Sequence, residues 1–318
     1  MSGTRGLAAG AEGVLVTLVA VGLFASASLF PVLGVALSLL APLPLVVLGL
    51  RRGRLPLLLV LGAAALALAV PLSPRHGLVF LLEFGVPALL LAEGLRRGAR
   101  SEVVVVAVAA ALALGGLAVL VVSGEEWGQP LRAVQQHVRD LLAEMEGFTA
   151  RLGVPGEAGE AVPVAKLRSF LLTAFPGLFF TGSLLSAAGY LLVLQAGLRR
   201  WPARLGGLAA AAFRWELPEI LVWAFIGSGV LYLTGLPWLY EIGVNGLIVL
   251  VGLYFLQGLS IAVFLFDRFK LPKFLATLSV VLLVFQPFFT LLVAGLGLFD
   301  VWFAFRRLSL PKNSRGAT

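Results

Sequence analysis

Apolar runs follow one another along this chain at about residues 13–30, 32–50, 55–73, 76–95, 102–123, 167–198, 216–235, 240–266 and 274–305. Short polar interruptions, most of them rich in arginine, separate them. Several runs reach the ~20 residues that a helix needs to cross ~30 Å of hydrocarbon at ~1.5 Å per residue. The pattern predicts an all-α fold, a polytopic transmembrane helical bundle of about nine helices. The first run ends at Ala25-Ser26-Ala27, which resembles a signal-peptide cleavage site. Glu12 weakens the basic start that a signal peptide would have, and the second run begins almost at once, so the first run is assigned as a membrane helix.

One stretch breaks the pattern. Residues 124–165 carry seven acids against three arginines. Within them Leu131, Val134, Val138, Leu141, Leu142, Met145, Phe148 and Leu152 recur at three- and four-residue steps, the mark of an amphipathic helix over 131–152. The glycines and prolines of "GVPGEAGEAVP" end it. The chain therefore divides into a first membrane bundle (1–123), an extracytoplasmic amphipathic helix and loop (124–165), a second membrane bundle (166–307) and a polar tail (308–318).

Composition agrees with the pattern: 60% of the residues are hydrophobic and 13% charged. The net charge of +8 does not point to nucleic acid, because no basic patch is interleaved with a soluble binding module. It fits arginines that hold short loops on the cytoplasmic side of a membrane, near anionic lipid. Placing the loops after runs two, four, six and eight inside gathers "RRGR", "RRGAR", "RRWPAR" and "DRFKLPK" there, puts the N-terminus in the cytoplasm and leaves 124–165 outside. A single ninth crossing would carry Arg306, Arg307, Lys312 and Arg315 outside. Pro287 offers the favoured way out, a pair of short helices that returns the tail inward.

The chemistry is sparse. There is no cysteine, and the two histidines, His76 and His137, form no metal or catalytic constellation. No phosphate-cradling glycine loop is present, so any work from ATP has to come from a partner. The expectation is a non-enzymatic protein without cofactor or metal. Glu83, in "VFLLEFGVPALL", is the exception that needs an account: a carboxylate near the middle of a span costs a few kcal/mol, so it should face a cavity, find a partner or bind a proton. Pro87 lies four residues on and removes the usual donor to the residue 83 carbonyl, which predicts a bent helix lining an interior. Glu83, with the amides of Asn245 and Gln257, forms the candidate ligand-binding set, although Asn245, Gln257 and Gln286 also suit interhelical hydrogen bonds.

Other residues read as structural or interfacial. Arg214 and Trp215 suit a membrane entry, and Glu216 and Glu219 the positive end of a helix whose first turn holds Pro218. At the other end Trp302 and its neighbouring phenylalanines form an aromatic belt, Arg306 and Arg307 reach lipid phosphates, and Asp300 pairs with a nearby base or caps a broken helix.

The segments "RWELPEILVWAFI", "LIVLVGLYFLQGLSIAVFLF" and "GLGLFDVWFAFRRL" together resemble the YybS-like family of bacterial membrane proteins, a domain of unknown function (DUF2232). The resemblance spans most of the chain and departs from the family's closing pattern at Ala304, where a second acid is expected. The proline-bracketed "LFPVLGVALSLLAPLPLVVLGLRRG" in the first half is similar to the substrate-binding (S) components of energy-coupling-factor transporters. That resemblance implies a membrane component that binds a small solute while a separate transmembrane coupling protein and ATPases supply the work. The alternative is a membrane scaffold or assembly factor that binds another envelope protein, or the lipid bilayer surface, through the 131–152 helix.

Overall fold

The computed structural model describes residues 2–29, 37–38, 40–123, 136, 139–140, 143, 164–198 and 215–303. Among them the regular elements are helices and no strand occurs. In chain order they are α1 (Ser2–Leu29), α2 (Pro42–Arg52), α3 (Arg54–Ala69), α4 (Pro74–Arg96), α5 (Ser101–Ser123), α6 (Val164–Leu198), α7 (Ile220–Leu233), α8 (Pro237–Arg268), α9 (Lys273–Phe285) and α10 (Pro287–Phe303). Four segments are long and apolar enough to cross a membrane: Pro74–Arg96, Ser101–Val121, Ser169–Leu198 and Pro237–Arg268. Apolar helices of 10–17 residues occupy Gly10–Ser26, Arg54–Ala69, Ile220–Leu233 and Phe288–Phe303. The amphipathic helix expected over 131–152 lies largely outside the described residues, as do Arg214 and Arg306.

The chain forms two compact units, Met1–Ala212 and Phe213–Thr318. In the first, α2, α3 and α4 pack on one another, α1 lies against α2 and α3, and α5 stands between α4 and α6. Leu45, Leu57, Phe80, Leu91, Leu184 and Leu191 are among its fully buried side chains. Small residues set how closely the helices approach. A Cβ on Gly49 would stand 2.8 Å from the Ala92 Cβ, and one on Gly77 would stand 2.6 Å from the Ala65 carbonyl oxygen. The arginine-rich turns collect at one end. Gly53, at φ 95°, allows the reversal from α2 to α3, and the Arg96 guanidinium lies over it. Glu12 on α1 accepts from both Arg51 (2.9 Å) and Arg52 (2.6 Å).

In the second unit α8 packs along α10 on one side and α7 on the other. Gly235, at φ 69°, makes the turn between α7 and α8. The α8–α10 contact is backbone against backbone: a Cβ on Gly258 would run into the Val293 carbonyl oxygen, and one on Gly297 into that of Tyr254. The long run at 274–305 is broken where Pro287 predicts a break, for Gln286 is extended (φ −97°, ψ 112°) between α9 and α10. Proline at 287 cannot donate to the Leu283 carbonyl. The Thr290 hydroxyl donates to it instead, at 3.1 Å.

The entry to α7 differs from the sequence reading. Pro218 lies before the helix, which starts at Ile220 with Glu219 at its N-cap, and Trp215–Pro218 are not helical. The cause is a tertiary bond: the Leu217 N–H donates to the Gln257 side-chain oxygen at 3.1 Å and holds the segment extended ahead of its proline. Trp215 is fully buried.

Candidate functional site

Glu83 sits near the centre of α4, on a single wide turn spanning Leu81–Gly85. Such π-type turns insert one residue into a helix. Here the Val86 N–H bonds the Leu81 carbonyl, five residues back. Next in line is Pro87, buried and without an N–H. The Leu82 carbonyl consequently loses both donors that a helix could offer it, Val86 being engaged elsewhere and Pro87 having none. The sequence identifies the deficit at the residue 83 carbonyl, and the wide turn extends it to Leu82.

Both acceptors lie against α5. A Cβ on Gly115 of α5 would stand 3.2 Å from the Leu82 oxygen, and one on Gly116 would stand 3.1 Å from Glu83 Oε1 and 2.6 Å from the Phe179 ring of α6. The glycine pair thus leaves room for a carboxylate and a carbonyl that alanines would close. Tyr190, almost wholly buried on α6, lies within electrostatic reach of the carboxylate. Phe179 stacks on Phe175 (centroids 5.5 Å apart). Phe80, just before the wide turn, and Phe84, within it, each pack edge-to-face with Phe24, the centroids 5.6 and 5.4 Å apart.

Glu83 itself is half-buried and makes no hydrogen bond or ion pair among the described residues. The bases on its own helix are distant: along the axis His76 is ~10 Å away and Arg96 ~20 Å. No group of three or more acids and histidines that could hold a metal occurs among the described residues.

The other sequence candidates belong to the second unit. Gln257, 3% exposed, is committed at both ends: its oxygen accepts from Leu217 and its nitrogen donates to Asp300 Oδ2 at 3.2 Å. This one amide ties together the segments "RWELPE", "FLQGLS" and "LFDVWF", each of which stands out in the sequence for a different local reason. Asp300 therefore has an amide partner in a neighbouring helix. Asn245 donates to the Glu241 carbonyl one turn back, at 2.8 Å. Glu219 is exposed at the start of α7 and makes no side-chain cap bond. Trp302 is exposed, with its ring 6.1 Å from that of Phe299. Sequence reasoning finds Glu83 and Pro87 but misses Leu82, Gly115, Gly116, Phe179 and Tyr190.

A family model described as "Predicted membrane protein (DUF2232)" matches residues 18–301. No curated protein and no solved structure matches the chain.

Proposed function

We propose a solute-binding role for this chain, which belongs to the DUF2232 family of predicted membrane proteins. It acts without catalysis, as a component of the bacterial inner membrane similar to the S components of energy-coupling-factor transporters. Its site lies in the first unit at Glu83. A separate transmembrane coupling protein and ATPases supply the work, and the arginine-rich end of the first unit faces the cytoplasm.

One observation supports this reading above the others: a half-buried carboxylate near mid-span, without a partner among the described residues, lies against a glycine pair on the neighbouring helix. Mid-span ionisable groups are costly and face a pathway or a binding space where the protein does not neutralise them. Native mass spectrometry of protein extracted from its own membranes is the test. A bound small solute on wild type that is absent from Glu83→Gln supports the role. Identical spectra, with uptake and stability also unchanged in Glu83→Ala, would refute it. Pull-down on the same membranes separates this reading from a scaffold: ATPase and coupling subunits mark transport, and envelope proteins that are lost when Val138 and Leu142 are made polar mark the scaffold.

A further inference from the structure

We propose that the site at Glu83 takes a monovalent cation, either an alkali ion or the protonated amine of a small solute. The inference rests on the solute-binding reading and narrows it to the charge the ligand carries at this point.

The argument is an inventory of donors and acceptors. Facing Gly115 and Gly116 are a Glu83 carboxylate oxygen and the Leu82 carbonyl oxygen. Neither has a donor: Val86 is bonded to Leu81, Pro87 has no N–H, and Glu83 makes no bond among the described residues. The groups contributed by α5 are two glycines, which bring no side-chain donor. Those contributed by α6 are the Phe179 ring edge and Tyr190. Two acceptors without donors attract positive charge through their oxygens. An anion placed there would be repelled by both oxygens, with the Tyr190 hydroxyl the one donor among these groups. A neutral solute would leave the carboxylate without a counter-charge in a medium of low dielectric.

The number of ligands limits the charge. Calcium takes six to eight oxygens, carboxylates among them, and magnesium holds several waters around one or two carboxylates and further anionic oxygens. Glu83 stands without a second acid or histidine close enough to form a metal-holding group among the described residues. One carboxylate neutralises one positive charge. A primary ammonium has N–H groups to donate to both the carboxylate and the Leu82 carbonyl. An alkali ion would use the same two oxygens and complete its shell with water.

The test is isothermal titration of the full chain in a neutral detergent with sodium, potassium and methylammonium chlorides, using choline chloride to hold ionic strength constant. Wild type should bind at least one of the three cations, and Glu83→Gln, close in shape but uncharged, should bind it at least about tenfold more weakly, the loss expected for one charge-assisted contact. Gly116→Ala, which pushes a methyl group toward Glu83 and Phe179, should weaken the same titration while Glu83 stays in place. Binding of methylammonium alone assigns the site to amines, and binding of sodium or potassium alone assigns it to alkali ions. If native mass spectrometry finds a Glu83-dependent solute while none of the three cations distinguishes wild type from Glu83→Gln, the cation inference falls and the solute-binding role stands. If both experiments find no dependence on Glu83, both fall.

Discussion

The two units meet the same chemical problem and resolve it differently. Each contains an apolar helical stretch interrupted by a proline, and each carries an acid. In the second unit Pro287 deprives the Leu283 carbonyl of its donor, and the Thr290 hydroxyl replaces it at 3.1 Å. Asp300 there receives the Gln257 amide, whose other end holds the Leu217 N–H. In the first unit Pro87 and the wide turn leave the Leu82 carbonyl without a helical donor, and Glu83 has no partner among the described residues. Where the acid and the proline-orphaned carbonyl are both answered from within, the arrangement fixes the backbone. Where two acceptors go unanswered among the described residues, the proposed missing partner is a ligand. An acid within a membrane segment is thus informative only once its neighbours are known.

The comparison can be broken from the satisfied side first. The largest effect is expected at the helix contact that supports the Gln257–Asp300 bond. Gly258→Ala drives a methyl group into the Val293 carbonyl, and forcing α8 and α10 apart should cost about 3 kcal/mol, near the upper end of ordinary overpacking. Thermal unfolding in detergent, followed by tryptophan fluorescence, would record it, and an unchanged midpoint would show that the contact is looser than described. Gln257→Leu comes next. It keeps the volume roughly but takes the amide from Asp300 and the acceptor from the Leu217 N–H, for a loss of about 2 kcal/mol at about 1 kcal/mol for each hydrogen bond. Chemical denaturation of the variant, alone and combined with Asp300→Leu, should show that the second change costs little once the first is made. Thr290→Val is the mildest, at about 1 kcal/mol for one neutral hydrogen bond. Its effect should shrink in a Pro287→Ala background, where residue 287 can supply an N–H to Leu283 and the hydroxyl keeps only the Gln286 carbonyl, also 3.1 Å away.

Much of this organisation is legible in the sequence because its causes are local. Apolar run length gives most of the helices, and the break at Pro287 follows from the missing N–H. The late start of α7 at Ile220 could not be read, because it depends on Gln257, 40 residues beyond Leu217. The same holds for Trp215, which an interface would suit as well as a core and which only packing assigns to the core. At the candidate site Glu83 and Pro87 are visible because the cost of burying charge and the geometry of proline belong to single residues. The glycines opposite them are two among 37 in the chain, and nothing in their immediate neighbourhood marks them as the ones that face an acid. The wide turn was foreseen only as a bend, so the loss of a donor at Leu82 emerged from the hydrogen-bond register alone.

The most direct test of the contrast is to supply the missing donor without touching the acid. Pro87→Ala restores an N–H within reach of the Leu82 and Glu83 carbonyls, and titration with the bound monovalent cation, run beside a thermal unfolding curve, reads both consequences. The account predicts weaker cation binding together with a higher unfolding temperature, because a satisfied backbone gains stability and loses a ligand. Equal or tighter binding in the variant would contradict it.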